Sequence, residues 1–133
     1  SMIHGILEVV RPSADSEVYE RELKIAQRVC DFYPSYLSHT IVGISRYRLG
    51  HFKQAIVALE EALRIEPIEY GEPDLLPNIE AYLTLALLKN GQVTEAKRIH
   101  RLFLEKAERT YWSGDDELAS LQAEIDSAFA ALD

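Results

Sequence analysis

The side chains best able to do nucleophilic or acid–base chemistry in this chain are Cys30 and the four histidines His4, His39, His51 and His100. Catalysis needs such groups to converge, as a nucleophile with a positioned base or as two carboxylates in one pocket. The histidines are scattered: no two share a helical turn and no acidic motif accompanies them, so the spacing suits neither a metal site nor a catalytic triad. Cys30 stands beside Val29 on the apolar face of a predicted helix, where a buried, inert thiol is the usual outcome. The densest acidic group, Asp115, Asp116 and Glu117, lacks calcium-loop spacing and suits the positive end of a helix dipole instead. The glycines are single and sit at predicted turns, so nothing resembles a phosphate-cradling loop. We therefore expect no catalytic residue, no metal, no cofactor and no enzymatic activity.

The elements that hold these residues must form one core. At 133 residues the chain has the size of one domain, and its 47% hydrophobic and 27% charged composition is that of an ordinary globular protein. A net charge of −8 opposes binding to a phosphate backbone, so nucleic acid is not an expected partner. No stretch reaches the ~20 apolar residues of a membrane span, and the apolar run Ile3 to Val10 has neither a basic leader nor a cleavage pattern. A lone cysteine fits a reducing compartment, which makes the cytoplasm the expected location. Ser1-Met2 ahead of Ile3 reads as a cloning remnant, and the chain as a piece of a longer protein.

Apolar residues recur at helical spacing through most of the chain. Tyr19, Leu23, Ala26, Val29 or Cys30, and Tyr33 mark a helix that Ser16 can cap and Pro34 ends. Leu37, Ile41, Ile44 and Tyr47 or Arg48 mark a second, running to Leu49-Gly50, where glycine can take the left-handed conformation that stops a helix. Phe52, Ala55, Ile56, Leu59, Ala62, Leu63 and Ile65 mark a third, ending at Pro67. The segment Ile68 to Pro77, with Gly71, Pro73 and Pro77, reads as a loop. Helix resumes through Ile79, Tyr82, Leu83, Ala86 and Leu87, pauses at Asn90-Gly91, and continues from Val93 through Ala96, Ile99 and Phe103 to Ala107. A final amphipathic helix carries Leu118, Leu121, Ile125, Phe129 and Leu132 behind a Ser113-Gly114 cap. Only Ile3 to Val10 is ambiguous between helix and strand.

The turn glycines Gly50 and Gly91 lie 41 residues apart, and each is followed by a hydrophobe at plus two and an alanine at plus five. Phe52 and Ala55 fill these places once, Val93 and Ala96 again. One helix pair cannot bury its apolar faces alone, whereas stacked pairs share a core, so such repetition predicts a solenoid. The pattern resembles the tetratricopeptide repeat (TPR) family, with its period of about 34 residues. Residues 36–69 match best: Val42-Gly43 stand for the family's Leu-Gly pair, followed by Gly50, Phe52, Ala55, Ala62 and Pro67, with His39 where an aromatic is usual. Residues 77–110 form a degenerate repeat, with Thr84 at the small position and no closing proline; the longer spacing falls in the Ile68 to Leu76 loop. Residues 3–34 read as an incomplete first repeat and 114–133 as a capping helix, all within one domain spanning 1–133. More narrowly, the chain resembles TPR segments appended to bacterial protein kinases and other large signalling proteins.

The resemblance implies an all-α, TPR-like solenoid whose first helices line a concave groove. On family offsets the groove carries Leu37, Thr40, Ile44, Tyr47 and Arg48 from one helix, and Asn78, Ala81, Leu85, Leu88 and Lys89 from the next. Such a surface would hold a peptide or helix of a partner protein, with apolar anchors for affinity and Arg48 or Lys89 selecting acidic neighbours. Helical spacing leaves Tyr47 open between core and ligand contact. The cation set that clamps a terminal carboxylate in some family members is absent, since Leu37, Thr40 and Ile44 stand in its place. Two alternatives stay open: self-association as a homodimer through the N-terminal side, where Tyr19, Leu23 and Ile3 to Val10 lack a cap, and an intramolecular brace for a neighbouring signalling domain.

Overall fold

The computed structural model describes residues 14–70, 77–109 and 116–132, and every element among them is an α-helix. In chain order these are α1 (Ala14–Phe32), α2 (Tyr36–Arg48), α3 (Phe52–Tyr70), α4 (Asn78–Lys89), α5 (Val93–Arg109) and α6 (Asp116–Ala130). Residues 3–10, the 71–76 segment and the Ser113-Gly114 cap lie outside the described residues.

Local chemistry sets the ends of α2 firmly. Ser35 caps its start by accepting the Ser38 N–H at 3.1 Å, and Ser38 Oγ accepts the Ser35 N–H at 3.0 Å, a capping box built from two serines. At its end Gly50 takes φ +84°, the His51 N–H bonds the Arg46 carbonyl at 2.8 Å and the Gly50 N–H bonds the Tyr47 carbonyl at 3.0 Å. This double bond pattern satisfies the last carbonyls of the helix and needs a residue free to adopt positive φ. Gly91 repeats it at φ +79°, with Gln92 bonding Leu87 and Gly91 bonding Leu88. Both glycine turns therefore fold as the sequence predicts, and each reverses the chain into an antiparallel partner.

Successive helices pack on one another from α1 to α5, and α6 returns to pack on α4, which also touches α2. With neighbours on all these sides α4 is buried all round: Ile79 to Leu87 are at most 5% exposed. The main core joins Ala55, Leu59 and Ala62 of α3, Ile79, Leu83 and Leu87 of α4, Ala96, Ile99 and Phe103 of α5, and Leu118, Leu121 and Ile125 of α6. Ala26, Val42 and Ala58 form a smaller cluster under Leu23 where α1 meets α2 and α3. His100 stacks on Phe103 and leans against Phe129 at 4.9 Å between ring centres, fastening α6 to α5. Burial lowers the His100 pKa, with the Asp126 carboxylate pulling the other way.

Two boundaries differ from the sequence reading. α1 starts at Ala14, ahead of the expected Ser16 cap, and α3 runs through Pro67 to Tyr70, so 68–70 belong to helix and not to the loop. Proline at 67 cannot supply the N–H for the Leu63 carbonyl. The turn is fastened from outside: Glu66, 6% exposed, pairs with Lys106 of α5 at 2.6 Å.

Lys106 also reaches Glu80 of α4 at 3.0 Å, so one buried ammonium ties α3, α4 and α5 together. Glu66 Oε2 and Glu80 Oε1 have no hydrogen-bond partner. Burial raises the Glu80 pKa above its ordinary 4.5, with Lys106 pulling the other way. The folded chain therefore binds a proton at Glu80 more tightly than the unfolded chain does. That contribution is fully present below about pH 4.5 and is lost as pH rises through the raised folded value. Thermal melts at fixed ionic strength from pH 4.5 upward should fall more steeply for the wild type than for Glu80→Gln. Parallel slopes would show that Glu80 does not titrate with folding.

Candidate functional site, an apolar cleft between the first two helices

α1 and α2 are joined by residues 33–35 and run antiparallel, leaving an open cleft of about 620 Å³ along one flank. Its α1 wall presents Ile25 and Val29 at i and i+4, and its α2 wall presents Leu37, Ile41 and Ile44 with the same kind of stagger. These side chains are unusually open for branched aliphatics: Ile25 is 60% exposed, Leu37 57%, Val29 49% and Ile41 39%. Phe32 and Tyr33, 90% and 73% exposed, extend the apolar surface at the end of α1. Scattered exposed hydrophobes are normal, but a contiguous set on two facing helices marks a surface for another apolar body.

One end of the cleft is polar, lined by Glu22, Ser45, Arg48, Asn78 and Glu117. The Arg48 guanidinium lies 5.1 Å from the Tyr19 ring centre and 5.9 Å from that of Tyr82, and donates to the Tyr82 hydroxyl at 3.2 Å. Tyr82 in turn donates to Glu117 Oε1 at 2.6 Å. Burial and that carboxylate push the Tyr82 pKa up to about 12, so the phenol keeps its proton and the relay from Arg48 to Glu117 stays in place. Tyr47 donates to Glu124 of α6 at 3.2 Å, and its pKa too is raised by burial and by Glu124.

Of the groove residues expected from sequence, the structure brings Thr40, Ile44, Arg48 and Asn78, together with Leu37, into this one cleft. Thr40 contributes little exposed surface: it is 5% exposed and spends its hydroxyl on the Tyr36 carbonyl at 2.7 Å. Ala81 and Leu85 are in the core, 0% and 1% exposed, in the same cluster as Leu118, Leu121 and Ile125. The closing helix α6 lies on α4, so those two side chains are unavailable to a ligand. Tyr47 packs against the core and Phe52 while holding α6 through Glu124. Lys89 is exposed and lies outside the cleft lining. The expected pair of cations facing a ligand is thus reduced to Arg48, which is already held between two tyrosines.

The α1 wall was missed because apolar spacing put Val29 on the buried face. The residues facing inward are Leu23 and Ala26, while Ile25 and Val29 form a second stripe one position away. The signal was legible: Val18, Glu22, Ile25, Val29 and Phe32 repeat at alternating four and three, a second helical face. Cys30 is half-buried, not enclosed, with Sγ 3.5 Å from His39 Nε2 at the edge of a smaller hollow of about 390 Å³. Among the described residues no group of three or more His, Cys, Asp or Glu side chains could hold a metal ion, and no helix is long and apolar enough to cross a membrane.

No family model matches the chain, and no curated protein or solved structure matches it.

Proposed function

We propose that the chain is a non-catalytic protein-interaction module of the tetratricopeptide kind, taking a helix or peptide of a partner protein into the α1–α2 cleft. The observation that carries this reading is the pair of exposed aliphatic stripes facing one another across it. The architecture is in keeping: antiparallel helix pairs turn at Gly50 and Gly91, and Ala55, Ala62 and Ala96, all 0% exposed, sit at the close-packing positions of the repeat. A cytoplasmic signalling protein is a setting in which such a module works, either on a partner or as a brace for a neighbouring domain.

Affinity capture with mass spectrometry should recover a partner with the wild type and lose it with Ile25→Glu, Leu37→Glu, while circular dichroism shows unchanged helix content. Both side chains are more than half exposed, so the substitutions spare the fold. A partner retained equally by both proteins would move the site elsewhere. The exposure of Phe32 and Tyr33 beside the cleft favours a second reading, a homodimer through this face. Light scattering would then report a dimer for the wild type and a monomer for the variant.

A further inference from the structure

We infer that the polar end of the cleft receives the C-terminal turn of an amphipathic partner helix, one with branched apolar side chains on one face and Lys or Arg in its last turn. The inference rests on the cleft being the docking surface.

Ser45 carries the argument. It is 1% exposed, lines the cleft, and its Oγ has no hydrogen-bond partner. The other buried Ser and Thr hydroxyls among the described residues are satisfied by nearby carbonyls: Thr40 bonds Tyr36 and Thr84 bonds Glu80, each at 2.7 Å, and Ser38 bonds Ser35 at 3.1 Å. Ser45 does not take that route, so its hydroxyl is left for an incoming acceptor or donor.

The charges beside it choose between the two ends of a helix. Among the described residues Glu22 has no hydrogen bond or ion pair, and Glu117 has only the Tyr82 hydroxyl on Oε1. Arg48, the one cation lining the cleft among the described residues, is committed to Tyr19 and Tyr82. The N-terminal end of a helix would bring N–H donors and, by dipole preference, acidic side chains against Glu22 and Glu117. The C-terminal end brings unsatisfied carbonyls, which Ser45 and Asn78 can bond, and the basic side chains that favour a last turn, which Glu22 and Glu117 can pair. The partner helix then runs parallel to α2 and antiparallel to α1. Its apolar face lies between Ile25 and Val29 on one side and Leu37, Ile41 and Ile44 on the other.

The test uses the intact chain and three fluorescent synthetic helical peptides with one Leu/Ile stripe. They carry two Lys in the last turn, two Lys in the first turn, or two Glu in the last turn. Anisotropy titrations should show the first binding about tenfold tighter than the third, with the gap closing near about 0.5 M salt. Glu22→Lys should reverse that preference. Ser45→Ala should weaken the first peptide by about fivefold while leaving or raising thermal stability, because it deletes a hydroxyl with no bond in the free protein. Equal affinity for all three peptides would overturn the orientation and charge rule while leaving the cleft as the site. Binding of none of them, or binding insensitive to Ile25→Glu, would overturn both. Binding that appears only after Ile6→Asp, Leu7→Asp would give the cleft to the chain's own N-terminal segment and overturn the partner.

Discussion

Gly43→Leu is expected to abolish cooperative folding, and Gly43→Ala to leave a folded but clearly weakened protein. A Cβ at this position would lie 2.5 Å from Leu59 Cγ, 2.6 Å from its Cδ2 and 3.3 Å from its backbone nitrogen. Leu59 is itself 0% exposed, so it has no solvent to retreat into, and the backbone contact prevents a purely side-chain adjustment. For alanine we expect a loss of about 1–3 kcal/mol from overpacking, reduced by roughly 1 kcal/mol of gained helix propensity. Leucine would have to part α2 from α3, the helix pair that turns at Gly50. Urea unfolding followed by circular dichroism measures both. The double variant Gly43→Ala, Leu59→Ala should lose less than the sum of its parts, since one change relieves the clash made by the other. Full additivity would mean that the two residues do not touch in solution.

Lys106→Met should cost about 3–5 kcal/mol at neutral pH, the range for removing one partner of a buried ion pair. The loss is large because two carboxyl groups, Glu66 and Glu80, 6% and 4% exposed, would keep their burial without the ammonium that compensates it. Acid should soften the defect. Burial makes Glu80 hold a proton more tightly than it does in the unfolded chain, so as the pH falls the variant can neutralise that carboxyl instead of burying its charge. Stability of Lys106→Met relative to wild type should therefore recover on going from pH 7 to pH 5 and recover again when Glu80→Gln is added. A pH-independent deficit would mean that the lysine acts by packing its methylene chain, not by its charge.

The helices were legible because their punctuation is chemical. Gly50 and Gly91 take the left-handed conformation that their positions require, and Pro34 falls between α1 and α2. Pro67 misled because a proline penalty of about 3 kcal/mol can be outweighed by contacts distant in sequence. Those contacts were partly readable: Glu66 follows Ala55, Leu59 and Ala62 in register, and Lys106 follows Ala96, Ile99 and Phe103, so each charge occupies an apolar position of its helix. Two opposite charges in buried registers ask for each other, although nothing in the sequence says that they meet. The groove was half legible for a different reason. Periodicity assigns a residue to a face but does not say which helix covers that face, and α6 covers Ala81 and Leu85 while the α1–α2 flank stays open. Glu117 illustrates the same limit, since the acid expected to serve its own helix terminus also accepts the Tyr82 hydroxyl across the fold.

The seating of α6 on α4 gives the molecule a polarity. One flank of the helix stack ends in a helix whose apolar side, Leu118, Leu121 and Ile125, is already buried, while the other ends in the α1–α2 stripes. Copies of this chain joining through their apolar flanks could therefore do so only like to like, about a twofold axis, with the same residues contributed by each. Such a contact uses up the adhesive face of both copies at once. Among the described residues the α6 side has the exposed Leu132 at its end but no pair of facing stripes like those of α1 and α2. Head-to-tail addition, the geometry that lets repeat domains grow into filaments, therefore has no matching surface there, and assembly by this route would stop at two.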